Sequence, residues 1–175
     1  MNHAFSMTNL GLLSQLLGLE IAQSQHGIKV HQSKYALYLM SKFNMRDCKT
    51  SKTPFLSWVK LEEADSSPMV NNTLYRRLIG CLLYLKHNQP DISYAVSVAS
   101  IYMDQPHEIH WRAAKRILNF VQGTRTHGIF YKAKSDLDLI GFTDSDWAGD
   151  SIDRISTLGY VFMLAKGPIS YSSKK

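Results

Sequence analysis

Cysteine is scarce in this 175-residue chain: Cys48 and Cys81 stand far apart, with no histidine at metal-ligand spacing. That argues against a disulfide framework or a zinc module and leaves two reduced thiols in an intracellular protein as the expectation. Long apolar runs are missing too, since none approaches the roughly 18 residues of a membrane span. The opening Met1-Asn2-His3-Ala4-Phe5-Ser6 lacks the basic-then-apolar order of a secretory signal, so neither a membrane span nor secretion is expected. Proline and glycine number only 5 and 10, which with 45% hydrophobic and 19% charged residues argues against a disordered or collagen-like chain. Several catalytic signatures are absent as well: there is no Gly-rich phosphate loop, no nucleophile elbow and no His-Glu-x-x-His.

What the chain does have is positive charge. Lysine and arginine number 20 against 14 acidic residues, giving +6 and a pI near 9.3, so polyanions are the first partner class to consider. The charge is unevenly spread. Residues 1–60 carry seven basic and two acidic side chains, residues 105–134 carry six and one, and residues 135–175 carry four basic side chains against six aspartates. This distribution suggests a phosphate-facing surface beside a carboxylate-bearing one; a solvated charged surface with no partner is the plainer alternative.

Hydrophobic periodicity predicts an α+β chain: a β-hairpin and helix, then a small helical bundle, then a β-sheet. Residues 16–32 form two short apolar runs around Gln25-His26-Gly27, a hairpin pattern. From Ser33, placed to cap, Ala36, Leu37, Met40 and Phe43 fit a helix of about three turns. Residues 46–68 show no period and read as a flexible seam. Tyr75, Leu78, Ile79, Leu82 and Leu83 then mark one helical face, and Pro90 breaks that helix, with Asp91 placed to cap the next. The second helix carries Ile92, Ala95, Val96, Ala99 and Met103, and a third, from about His107, ends at Gly123. Short apolar segments at 128–131, 139–143, 157–164 and 169–172 read as a terminal β-meander, with Gly167-Pro168 as a turn.

Few residues invite chemistry. Alternation puts Asp144 and Asp146 on one strand face, a spacing that permits Mg²⁺ binding, although an Asp-rich polar turn fits the spacing better. His107 and His110 share a helical face, which capping or surface placement explains better than a metal. Tyr75, Tyr84, Tyr94 and Tyr102 could stack on bases, but core or half-buried packing is the simpler account. Arg112, Lys115, Arg116 and Arg125 are the candidate phosphate contacts of a basic helical surface.

An ordered series of residues resembles the Pol polyprotein of copia-type LTR retrotransposons. It begins with Leu17-Gly18-Leu19-Glu20-Ile21, Gly27-Ile28, Gln32, Tyr35 and Thr53-Pro54. It continues through Tyr75-Arg76, Gly80, Leu83-Tyr84-Leu85, Pro90-Asp91-Ile92, His110-Trp111, Arg116-Ile117-Leu118 and Gly123-Thr124. Asp144-Ser145-Asp146-Trp147-Ala148-Gly149-Asp150, Asp153-Arg154, Gly159-Tyr160 and Ser172-Ser173-Lys174-Lys175 complete it.

The resemblance implies the end of a reverse transcriptase palm with the first thumb helix at 1–45, a linker at 46–71, a helical thumb and connection at 72–126 and a truncated ribonuclease H-like unit at 127–175. It matches Asp144 to the first ribonuclease H carboxylate and implies Mg²⁺ as the parent family's cofactor. The polymerase Tyr-x-Asp-Asp turn does not occur in the chain, and neither does the Glu that would follow Ser172-Ser173-Lys174-Lys175. Ile155 and Leu158 stand where the family usually has Lys and Ser, and Gln89 where it has Arg. The implied function is a Pol fragment without catalysis of its own. The alternative is a non-catalytic module that binds an RNA–DNA hybrid or a single strand.

Overall fold

The hairpin forms where the alternation and a permissive turn coincide. In the computed structural model, which describes residues 11–56, 59, 61, 67–145 and 158–174, β1 (Gln15–Leu16), β2 (Leu19–Ser24) and β3 (Gly27–His31) run antiparallel around Gln25-His26. Gly27 has φ 149 and lies against the Tyr131 carbonyl, where a Cβ would not fit. The chain then enters α1 (Ser33–Lys42). Ser33 does not cap it: the N-cap is Gln32, and the Ser33 hydroxyl turns to His31 Nδ1 at 2.9 Å. Glu20 takes that role from β2 instead, its Oε1 accepting the Lys34 N–H at 2.8 Å, with a carboxylate suited to the positive end of the helix.

Helices α2 (Asn72–Leu85), α3 (Ser93–Ser100) and α4 (Glu108–Thr124) bring the number among the described residues to four, with a 3₁₀ turn at Pro90–Ile92 before α3. Asn71 caps α2, its side chain accepting from the Leu74 N–H at 2.9 Å. Asp91 lies inside the 3₁₀ turn and caps nothing, because Pro90 starts that turn three residues before the helix itself. Gly123 does not stop α4, which runs on to Thr124; the glycine instead lets Thr50 approach, and a Cβ there would lie 3.3 Å from the Thr50 Cβ. α3 ends at Ser100, short of Met103. One cluster buries Leu39 and Met40 of α1, Tyr75, Leu78, Ile79, Leu82 and Leu85 of α2, Val96 of α3, and Ile117, Leu118 and Val121 of α4.

The segment read as a seam lies along α4 where it is described. Ser51 N–H donates to the Asn119 carbonyl at 3.1 Å, Gln122 Nε2 reaches the Arg46 carbonyl at 2.7 Å, and Leu61 is buried. The missing period reflects missing regular structure, not missing packing.

Among the described residues, two antiparallel sheets hold the strands. The strand at 128–131 does not join the terminal meander. As β4 (Gly128–Lys132) it pairs with β3, Lys29 opposite Phe130, because α4 returns the chain to the open edge of the hairpin. The meander comprises β5 (Ile140–Ser145), β6 (Leu158–Leu164) and β7 (Gly167–Lys174). Its last turn is Ala165-Lys166, both at positive φ as a tight hairpin turn requires, and Gly167-Pro168 open β7 instead. The meander rests on the helices through Ser97 Oγ to the Ser173 carbonyl at 2.6 Å and Tyr171 OH to the Lys86 carbonyl at 2.7 Å. Among the described residues no helix is long and apolar enough to cross a membrane.

Candidate nucleic-acid interface

α4 owes its position to its first turn. The His107 N–H donates to His110 Nδ1 at 2.9 Å, so the His110 ring proton sits on Nε2, which reaches the Leu61 carbonyl at 2.9 Å. His107 Nδ1 in turn meets the Ser67 carbonyl at 2.7 Å, and Tyr102 stacks on His110 with centroids 3.9 Å apart. The histidine pair is thus a cap, one of the two readings that the spacing favoured, and the other fails because His110 is buried rather than at the surface. Burial, reinforced by the neighbouring His107, outweighs the Leu61 hydrogen bond and lowers the pKa of His110.

A pH dependence follows from that shift. Because the folded state holds His110 neutral while the unfolded chain takes up a proton below about pH 6.5, unfolding gains protons in that window and stability rises with pH there. The urea midpoint should therefore be highest above about pH 6.5 and fall as the solution is acidified, with a weaker fall in His110→Gln. A midpoint that stays flat on acidification of the wild-type chain counts against the neutral cap.

On α4 the four expected cations are placed differently. Arg112 is exposed, its Nε held by Glu108 one turn earlier at 3.2 Å, and Lys115 sits over the Trp111 ring at 5.4 Å. Both attach to a helix whose opposite face, Ala114, Ile117, Leu118 and Val121, is buried. Arg116 is half-buried, its Nη2 donating to Thr53 Oγ1 at 3.1 Å; with Arg112 it lines a cavity of about 430 Å³ beside Phe55 and Ile109. Arg125 is exposed at the C-cap, away from the other three.

Asp144 lies exposed on β5, opposite Gly159 of β6. With Phe142, Tyr171 and Tyr94 it lines a cleft of about 290 Å³ between the meander and α3. Asp146, like Asp150, Asp153 and Arg154, falls outside the described residues. Asp144 is the one carboxylate among the described lining residues, and no group of three or more metal-binding side chains occurs among the described residues. This donor set does not fit a two-ion centre, which needs opposed carboxylates. Tyr75 and Tyr84 serve packing: the Tyr75 hydroxyl donates to the Ala99 carbonyl at 2.7 Å, and the Tyr84 hydroxyl to the Leu17 carbonyl.

One feature has no counterpart in the sequence pattern. Lys29, Lys132 and Lys166, spread over most of the chain, border a single groove of about 660 Å³ together with His127 and Phe130. Only the β3–β4 pairing and the β6–β7 turn bring them together.

Residues 1–57 match the family model described as reverse transcriptase (RNA-dependent DNA polymerase). Over 175 residues the chain is 39% identical to the Retrovirus-related Pol polyprotein from transposon RE2 of Arabidopsis thaliana, and 40% identical to that from transposon RE1. It spans 12% of the length of each. It is also 35% identical to the uncharacterized mitochondrial protein AtMg00810 of the same plant, covering 72% of it. No solved structure matches the chain.

Proposed function

The chain belongs to the Pol polyproteins of copia-type retrotransposons, and from that premise we propose that it holds the nucleic acid of reverse transcription and performs no chemistry alone. The observation that carries this reading is α4: one face is locked in the core by Ala114, Ile117, Leu118 and Val121, while Arg112 and Lys115 stand on the other. Cations on a rigid rod can meet successive phosphates without a large ordering cost. Arg125 stands apart at the C-cap, and Arg116 contributes chiefly by holding Thr53 against the helix.

The β5–β7 meander is read as the opening of a ribonuclease H-like unit. Asp144 is its first carboxylate, able to serve with Mg²⁺ only beside ligands from elsewhere in a polyprotein. β4 (Gly128–Lys132) pairs with the hairpin sheet and is read as lying outside that unit.

The test is fluorescence anisotropy of the 175-residue chain with a labelled RNA–DNA hybrid over a range of salt. Binding that weakens steeply with salt is expected. Arg112→Gln with Lys115→Gln should reduce the magnitude of the log–log salt slope by about 2, roughly one unit for each phosphate no longer neutralised. An unchanged slope in the double variant, or no binding by the wild-type chain, overturns the reading.

A further inference from the structure

We propose that the groove between the hairpin sheet and the meander binds a single-stranded nucleic acid, its phosphates on Lys29, Lys132 and Lys166 and one unpaired base on Phe130. This rests on the nucleic-acid reading above but assigns a separate surface and one form of ligand.

The construction is specific. Phe130 and Lys29 are direct cross-strand partners and so share a face of the sheet, and Lys132, two residues on from Phe130, shares it too. Phe130 is 44% exposed, so a face of its ring is open to a ligand. The opposite wall is the β6–β7 turn. It is fastened to β4 by the Lys132 N–H to the Ala165 carbonyl at 3.2 Å and by the Tyr131 hydroxyl to the Pro168 carbonyl at 2.8 Å. Those bonds hold Lys166 beside the groove in the left-handed conformation, φ 63. Lys29 Nζ donates to the Thr126 carbonyl at 2.8 Å, which orients it and leaves two of its three donors for a phosphate. His127 adds a further donor, and Asp91 is the one carboxylate among the described lining residues.

The ligand class follows from the pairing of ring and cations. Lysine clusters alone would accept any polyanion, duplex included. An exposed ring set among lysines favours a strand whose bases have free faces, because a base stacked in a duplex already has both faces covered. Neither phosphate nor ring contact selects a sequence, so binding should tolerate any bases.

The test compares two labelled probes on the full chain: an oligothymidylate of about twelve nucleotides and an RNA–DNA hybrid of the same length. Expected is oligothymidylate binding that falls about tenfold or more in Lys29→Gln/Lys132→Gln/Lys166→Gln, with the salt slope smaller by about 2. Phe130→Leu should weaken the same probe severalfold without changing the slope, since it removes stacking and no charge. Hybrid binding should be much less affected in both variants. Wild-type binding to the hybrid but not to oligothymidylate would overturn this inference and leave the α4 reading standing, and failure to bind either probe would overturn both. Equal losses for both probes in the triple variant, with unaltered thermal melting, would also overturn the assignment to a single strand.

Discussion

Leu82→Ala should lower the free energy of unfolding by about 2–5 kcal/mol, the usual cost of emptying a fully buried leucine site. Leu82 is completely inaccessible, at the middle of the α2 face that carries Tyr75, Leu78, Ile79 and Leu85. The cluster around it draws on all four helices, so no single neighbour can collapse into the gap without unseating another. Against a total stability of about 5–15 kcal/mol for an ordinary domain, the loss is a large share. Urea titration followed by circular dichroism measures it. Leu83→Ala, on the partly buried flank of the same helix, serves as the comparator and should cost markedly less. Equal midpoint shifts in the two variants would mean that the α2 face is not packed as described.

Gly128→Val should be nearly as damaging for a different reason. A Cβ at Gly128 would fall against the Val30 carbonyl and lie 2.7 Å from the His31 Cβ and 3.1 Å from its Cα. Two of those atoms are backbone and cannot swing aside, so the β3–β4 ladder must part or shift. The cost belongs at the top of the overpacking range, about 3 kcal/mol. Gly80→Ala reverses the sign: Gly80 lies exposed inside α2 with no atom near the added methyl, and the helix gains about 1 kcal/mol from alanine. Differential scanning calorimetry of the pair decides the matter. A Gly128→Val chain that melts with the wild type would show that β4 does not pair with β3 as described.

The helical faces were legible in the sequence because burial there follows the 3.6-residue period. Even so, the spacing puts Leu83 on the α2 stripe and leaves out Leu85, which sits on the opposite flank. Only Leu85 is fully buried, a choice made by what packs beside the helix. Helix ends were read less well than faces. Gly123 looked like a stop, but its smallness serves Thr50, and Ser33 looked like a cap, but Glu20 reaches across from another element. Strand partners were legible where a short turn joins them, as in the 16–32 hairpin and the last three strands, but not across the chain, since a short alternating segment carries no address. That is why the β4 pairing, and with it the lysine groove, emerged only in three dimensions, whereas the α4 cations could be named from the chain. Asp144 was legible as a carboxylate on a strand, and its cleft against α3 was not.

The β3–β4 ladder also bears on how the chain is made. β3 is complete at His31, but its partner begins at Gly128, so a ribosome must add roughly a hundred further residues first. At about 5–20 residues per second that interval lasts some 5–20 s. For that time the outer edge of β3 is an unpaired strand, open to any other nascent chain. Lys29 lies at its centre, and a charged side chain in mid-edge discourages such pairing. The same lysine that borders the finished groove thus guards the edge while the groove does not yet exist.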